Sequence, residues 1–580
     1  MRAHLSALAL LALIVVLAVA VAILLHGEGI KRPVESLPGD TQLIVQAPDV
    51  PRLMRDLSRR VSRSGSPESG WNLLADIAEE ALRASRVSLS PSSADLTRLL
   101  PGEAVLAFIP GGRSQAPEPV LVVEVGSGSD RAASLARGYT ASLPEGLQGT
   151  WTSRSHRGRE YAVWRSSHED APVCLTGLRG LLLVTTSGSL MRRMLDTLDG
   201  REDSLASDPV FKTVMRRLDH SGDFIAYAAA DWLRPRIEGF LAAHPLRRRV
   251  NTADWLGSAS VRGAGLEIRV APSRFEDRLF VAMTPGDRGL LGDLFANEPA
   301  TVRPSSHVPA ELPFYLSLSV SDPGAVYHKL PGMLGGASCG GARDLRQRLD
   351  GLEQMLALDL EKDVFGALGG EFRIGFGAAG PVQQMSLNPA ALMASAVADI
   401  SVRDRGKIAE ILRRTDGLAR LVGALRVEHQ DRDGITHYEI PALAPMRPAY
   451  RLAKDHLLLG TDPALLERPH ASEGEIHSYA NREEIAALLK KLPGRAHLFF
   501  CTETTRLIES LLGAPQEIAP SRGIPEILTE YLEQTEGDDL AAPSGMVLRM
   551  GASGLLVETV SPFSPSLLAY LAMNAVRPAD

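Results

Sequence analysis

The residues that could carry chemistry in this chain are a run of histidines, one loop cysteine and two glutamates at matching places. His429, His437, His456, His470, His477 and His497 are six of the fourteen histidines and fall within one stretch. A density of that kind suits a zinc site, which needs three or four converging ligands. However, His429 and His437 flank the turn Asp431-Arg432-Asp433-Gly434, and a loop of two or of four residues puts them on opposite faces of a hairpin. The favoured reading is surface or core-edge histidines, with no metal assigned. Asp431 to Gly434 lacks the remaining ligands of a calcium loop and reads as a turn.

Cys339 lies in the loop Gly335-Gly336-Ala337-Ser338-Cys339-Gly340-Gly341, ahead of a helix expected from about Ala342. Amides at such a junction cradle anions, and a thiolate there can be reactive. The loop carries no basic residue, so a flexible connector is the preferred reading. Cys174 and Cys501 sit in apolar strand-like runs and read as buried free thiols; no CxxC pair exists. Glu103 and Glu371 each follow a glycine. Were they to approach one another, they could share a proton or a cation. The favoured alternative is a carboxylate at the start of a strand, bonded to a nearby amide or arginine. No GxxxxGK[ST], HExxH or Ser-x-x-Lys motif is present, which lowers the expectation of an enzyme. No catalytic residue, metal ligand or cofactor is assigned.

The elements that must position these residues come in two sets. Leu37-Pro38 before QLIVQA is matched by Leu312-Pro313 before FYLSLSV, and the helical positions Leu74, Ile77 and Ala81 by Leu349, Leu352 and Leu356. Asp95 to Phe108 then aligns with Asp363 to Phe376, which places Glu103 on Glu371. Further blocks follow in the same order: a strand and an Asp-Arg helix start near Asp130 and Asp404, hairpins about Gly158 and Gly434, two strand-to-helix units, and closing hairpins about Gly265 and Gly554. Eight blocks in one order predict a duplication.

The expected organisation is a first segment 1–27, a module 37–285, a proline-rich linker 286–310, a second module 311–565, and a C-terminal helix and tail 566–580. The expected fold class is α+β: an N-terminal transmembrane helix plus two tandem related modules of mainly antiparallel sheet with packed helices.

The run Leu5 to Leu25 has Ser6 as its sole polar member. Its length corresponds to about 31 Å of helix, close to a hydrocarbon core of roughly 30 Å. That exceeds the usual apolar core of a cleaved signal peptide and favours a single-pass signal anchor with ends at Leu5 and Leu25. The bulk is then expected on the periplasmic side of a bacterial inner membrane. Composition adds exclusions: a formal net charge of −7 gives no nucleic-acid partner, and 5% aromatic residues argue against a stacking platform.

The segments SLPGDTQLIVQAPDVPRLMRDL and SLASDPVFKTVMRRL and the D-x5-G-G-E block from Asp363 to Glu371 resemble an uncharacterised bacterial family of single-pass, envelope-exposed proteins, known only as a domain of unknown function. The resemblance implies an envelope location and supplies no catalytic residue. The functional expectation is a membrane-anchored, extracytoplasmic, non-catalytic binding or scaffold protein. Its expected partners are the lipid bilayer, through the N-terminal helix, and an envelope protein or apolar ligand. The alternatives are a lipid- or apolar-ligand-binding protein and an envelope hydrolase with a site between the modules.

Overall fold

The structure, a computed structural model, describes residues 32–56 except 51 and 54, 102–111, 117–125, 149–166, 172–243, 257–286 except 272, 288–324, 327, 341–377, 395–421, 426–430, 434–440, 446–467, 478–505 and 542–566. The chain divides into two compact units, the first formed by 1–233, 262–273 and 278–282, the second by 234–261, 274–277 and 283–580.

The strands of the first unit are β1 (Leu43–Ala47), β2 (Ala104–Pro110), β3 (Pro117–Glu124), β4 (Gly149–His156), β5 (Arg159–Ser166), β6 (Val173–Leu178), β7 (Leu181–Thr185), β8 (Phe224–Ala229) and β9 (Val261–Ala271); β10 (Arg274–Met283) has residues in both units. Antiparallel pairing runs β4-β5-β6-β7-β3-β2-β1-β8-β9. The sequence dictates this locally. In β2 the inward alternates Val105, Ala107 and Ile109 are fully buried, as period-two patterning requires. Strand β7, LLLVT, is buried along its whole length. Between β4 and β5, Arg157 and Gly158 both take positive φ (50° and 79°), the geometry of a two-residue type I′ hairpin turn.

Helix α1 (Gly188–Leu198) begins where the Leu190 N–H donates to Ser187 Oγ, 3.4 Å away, and it buries Leu190, Met191, Met194, Leu195 and Leu198 on one face. Helix α2 (Pro209–Met215) is capped by Asp208, which accepts from the Phe211 N–H at 2.6 Å, and it lies close against β9. A Cβ on Gly265 would stand 2.3 Å from Val214 Cγ1. Gly265 is therefore a point of close helix-to-strand approach in the middle of β9, whereas the sequence pattern suggests a hairpin there.

In the second unit the strands are β11 (Ala300–Thr301), β12 (Phe314–Ser319), β13 (Leu368–Phe376), β14 (Ala396–Val402), β15 (Arg426–Gln430), β16 (Ile435–Glu439), β17 (Ala449–Leu452), β18 (His456–Gly460), β19 (Arg495–Ala496), β20 (Leu498–Glu503), β21 (Pro543–Gly551) and β22 (Gly554–Ser561). Helices α3 (Gly341–Leu356), α4 (Arg405–Leu421), α5 (Pro463–Glu467) and α6 (Glu483–Leu489) accompany them. The pairing order is β15-β16-β17-β18-β14-β13-β12-β20-β21-β22. Its first nine strands, β15 to β21 in that order, repeat the order of the first unit strand for strand.

The registers define which residues are equivalent. Leu43 lies opposite Phe108, and Phe314 opposite Phe376. The bridge Pro38–Ser204 is matched by Pro309–Ser478. Pro38 thus corresponds to Pro309; Pro313, suggested by sequence, sits immediately before its strand. The segment expected as a linker is packed into the second unit: β11 pairs with β19, and Ser305 and Val308 are buried. Val308 joins a core of Leu312, Tyr315, Val397, Leu458, Tyr479 and Phe499, in which the rings of Tyr315 and Tyr479 stack at 4.6 Å.

The α+β expectation with a membrane-spanning first helix is corrected. The described chain is predominantly antiparallel sheet, and among the described residues no helix is long and apolar enough to cross a membrane. The physical reason for the first correction is that several helix-forming blocks in the sequence are only one to two turns long, such as α2, α5 and α6, and lie beside long paired strands. The run from Leu5 to Leu25 and the positions Leu74, Ile77 and Ala81 lie outside the described residues.

Candidate functional site

Strand β14 reads AVADISV, and the charged residue in its middle points inward. Asp399 pairs in register with Arg373 on β13 and Leu458 on β18, and it is 0% exposed. A buried carboxylate requires hydrogen-bond partners or an opposite charge. Asp399 has both. Ser305 Oγ donates to Oδ2 at 2.5 Å, His456 Nδ1 lies 2.6 Å from Oδ1, and Arg373 Nη1 lies 3.4 Å from Oδ2. Burial is the largest influence on this carboxyl and raises it, but the His456 and Ser305 hydrogen bonds with the His456 and Arg373 charges outweigh it. The net effect holds Asp399 below the usual carboxylate range. The hydrogen bond to Asp399 in turn raises His456 above the ordinary imidazole value.

The segment before β12 is fastened to this centre by its backbone. The His307 N–H donates to Ser305 Oγ at 2.9 Å, and the Ser305 N–H donates to Tyr315 Oη at 2.9 Å. These bonds bring the His307 ring to 5.0 Å from the His456 ring, centroid to centroid. One ligand atom from each of His307, Asp399 and His456 falls within 4.8 Å of the others. Arg373 also pairs with Glu371 through Nη2. Beside these two is a cavity of about 20 Å³, lined also by Arg303, Ser317 and His497, with room for about one water.

Two imidazoles and a carboxylate form a donor set for a divalent first-row metal ion. The same atoms are badly ordered for a serine nucleophile. Such a site needs histidine between serine and carboxylate, whereas the carboxylate of Asp399 stands between Ser305 and His456.

The first unit fills the same places differently. By register, Val105 corresponds to Arg373, Val122 to Asp399 and Leu181 to His456. Counting back from the matched bridges, Val34 corresponds to Ser305 and Ser36 to His307. Val105, Val122 and Leu181 are all 0% exposed, and Val34 is 8% exposed. The fold is therefore completed in one unit by an apolar cluster and in the other by an ionisable one.

Glu103 lies in the first unit and Glu371 in the second. Glu103 Oε1 accepts from Gln46 Nε2 at 2.9 Å, and burial, with the neighbouring Glu124 charge, pushes its carboxyl up to about 7. Glu371 is paired with Arg373, and its backbone N–H donates to Ser401 Oγ at 3.0 Å. Of the crowded histidines that fall among the described residues, His456 belongs to the cluster. In the β15–β16 register His429 faces Thr436 and His437 faces Glu428, one residue out of step. His497 is buried: its Nδ1 accepts the Met550 N–H at 3.0 Å and its Nε2 donates to the Asn297 carbonyl at 2.8 Å. His470, His477 and Cys339 lie outside the described residues. Cys174 and Cys501 are buried free thiols, and burial pushes Cys174 up to about 11.

Sequence reasoning missed His307, Ser305, Arg373 and Asp399. The signal available for Asp399 was a charge inside an apolar strand whose counterpart, VLVVEV, has valine there. It also missed that Gly336-Ala337-Ser338-Cys339-Gly340 has the spacing of a GxSxG nucleophile elbow, which needs a strand-turn-helix context; those residues are outside the described set.

No family model and no curated protein matches the chain. Solved structures of TP0453 are similar to part of it. Crystal form III is 10% identical, with 47% of this chain and 90% of that chain covered at a TM-score of 0.25. Crystal form IV is 12% identical, with 44% and 81% covered at the same TM-score of 0.25. At that TM-score the likeness carries no argument about fold or function.

Proposed function

We propose that this is a non-catalytic binding or scaffold protein of the bacterial cell envelope, acting on the extracytoplasmic side of the inner membrane. Its binding site is the cluster of Ser305, His307, Arg373, Asp399 and His456. One observation carries this reading: the equivalent places in the first unit hold Val34, Ser36, Val105, Val122 and Leu181, so the fold does not need ionisable groups there. Replacing a buried charged group by apolar residues of similar volume is commonly neutral or stabilising. A charged cluster kept where an apolar one suffices is therefore better explained by a ligand than by stability. The apolar run from Leu5 to Leu25 supports the location. An acyl chain finds no room in the cavity beside Arg373, at about 20 Å³.

The test is native mass spectrometry of the full chain released from membranes, wild type beside a variant carrying Ser305→Val, His307→Ser, Arg373→Val, Asp399→Val and His456→Leu. Wild type is expected to retain a bound mass that the variant lacks, at equal secondary structure. An identical bound complement in both would overturn the assignment.

A further inference from the structure

The ligand class at this cluster can be named from its donors, and doing so rests on the binding reading above. We infer that His307, Asp399 and His456 bind one divalent first-row transition-metal ion of the Zn2+ type, leaving a fourth position for water or an exogenous ligand.

The donor chemistry is the first support. Zn2+ is held by imidazole nitrogen and carboxylate oxygen at about 2.0–2.2 Å, and sites with three protein ligands keep an open fourth position. In a tetrahedron, bonds of that length set ligand atoms roughly 3.3–3.5 Å apart. The three donors here lie within 4.8 Å of one another. They come from three separate places, β14, β18 and the segment before β12. Such convergence of distant donors is how a site is built into a fold, and the backbone around it is already tied down by Ser305 and Tyr315.

Charge is the second support. Asp399 is fully buried, and Arg373 stands between it and Glu371. The Asp399 carboxylate is located where the imidazoles converge. Arg373 opposes a dication at 3.4 Å from Asp399 Oδ2, and its pairing with Glu371 draws part of its charge away. Arg373 is therefore a tuning residue, and its removal should tighten metal binding although it breaks a contact to Asp399.

The third support is the first unit, where Ser36, Val122 and Leu181 stand in for the three ligands. That set cannot hold a metal, and it provides a built-in template for substitutions that respect the packing.

The experiment is equilibrium dialysis of chelator-washed full-length protein against Zn2+ alone, read by elemental analysis. Parallel samples take Co2+ and are read by visible absorption. One Zn2+ per chain is expected, together with the d–d bands of Co2+ in a site of low coordination number. His456→Leu and His307→Ser should each weaken binding by at least ~10-fold, since each removes one of the three protein ligands. Arg373→Gln should strengthen binding, an effect that a purely structural role for the cluster would not produce. Far-ultraviolet dichroism identifies any variant that has not folded, and Arg373→Gln then decides the question alone. The metal assignment is overturned if wild type takes up no stoichiometric Zn2+, if the two histidine variants bind as wild type does, or if Arg373→Gln weakens binding. Loss of a different bound mass in the five-residue variant, without Zn2+ uptake by wild type, would overturn the metal and leave the binding reading standing. Absence of both would overturn the two together.

Discussion

His456 Nδ1 lies 2.6 Å from Asp399 Oδ1, at the register position where the first unit sets Leu181 near Val122. Two strands with the same neighbours thus carry an ion-competent pair in one unit and an aliphatic pair in the other. This contrast makes the pair informative about function, because packing requirements are shared and chemistry is not.

The buried His497 should make stability fall in mild acid. Burial is the main cause holding its imidazole below the ordinary 6.5, and its Nδ1 is already an acceptor for the Met550 N–H. The unfolded chain therefore binds a proton that the folded chain resists, so stability is lost as pH falls through about 6.5. Urea unfolding midpoints at about pH 7.5 and 5.5 should differ less in His497→Gln than in wild type. Equal differences would remove His497 as the cause.

Glu103 should act in the opposite sense. Its carboxyl rises from 4.5 to about 7, chiefly by burial and secondarily by Glu124. The folded state keeps a proton that the unfolded state releases, so stability falls as pH rises from about 4.5 to about 7. The upper bound is about 3 kcal/mol, lessened by solvent screening at this partly exposed site. Glu103→Gln should flatten the pH dependence over that window, with Gln46 still able to bond the new amide. A Glu103→Gln profile parallel to wild type would contradict the shift.

Two glycines should respond in opposite directions to alanine. At Gly265 the new methyl would meet Val214 Cγ1 at 2.3 Å, and overpacking of this kind costs about 1–3 kcal/mol. At Gly351, inside α3, nothing lies within 4 Å, so Gly351→Ala should stabilise by about 0.5–1 kcal/mol. Thermal unfolding of both variants checks the pair.

A carboxylate clamp in the second unit gives a fourth expectation. The hydroxyls of Tyr438 and Tyr450 both donate to Asp416, each at 2.6 Å, and Asp416 is buried. Asp416→Leu removes the acceptor of both half-buried hydroxyls, Tyr450 keeping its hydrogen bond with Thr436, and should cost about 1–3 kcal/mol. The double replacement with Tyr438→Phe and Tyr450→Phe added should recover much of that loss.

The legible part of this fold was local. Alternation in AVLAFIP and the turn about Gly158 are properties of a few adjacent residues, and the structure places a strand and a turn there. Gly265 misled because a strand glycine can mark either a turn or a close approach, and only the position of Val214 distinguishes them. Pro309 was obscured by Pro313 because a short motif can slip by four residues without losing its apolar pattern, while a hydrogen-bonded register cannot. The site was the least legible part. His307 lies in a proline-rich stretch that reads as extended, and it meets Asp399 and His456 only after β12, β13, β14 and β18 have paired.

The most direct measurement is differential scanning calorimetry of chelator-washed wild type and of the variant with Ser305→Val, His307→Ser, Arg373→Val, Asp399→Val and His456→Leu, each with and without Zn2+. Without metal, the variant should unfold at the same temperature as wild type or higher, because an apolar cluster already serves the first unit. Added Zn2+ should raise the midpoint of wild type alone, by linkage of binding to folding. A variant destabilised without metal, with Zn2+ shifting both proteins equally or neither, would show that the cluster is structural and contradict the account.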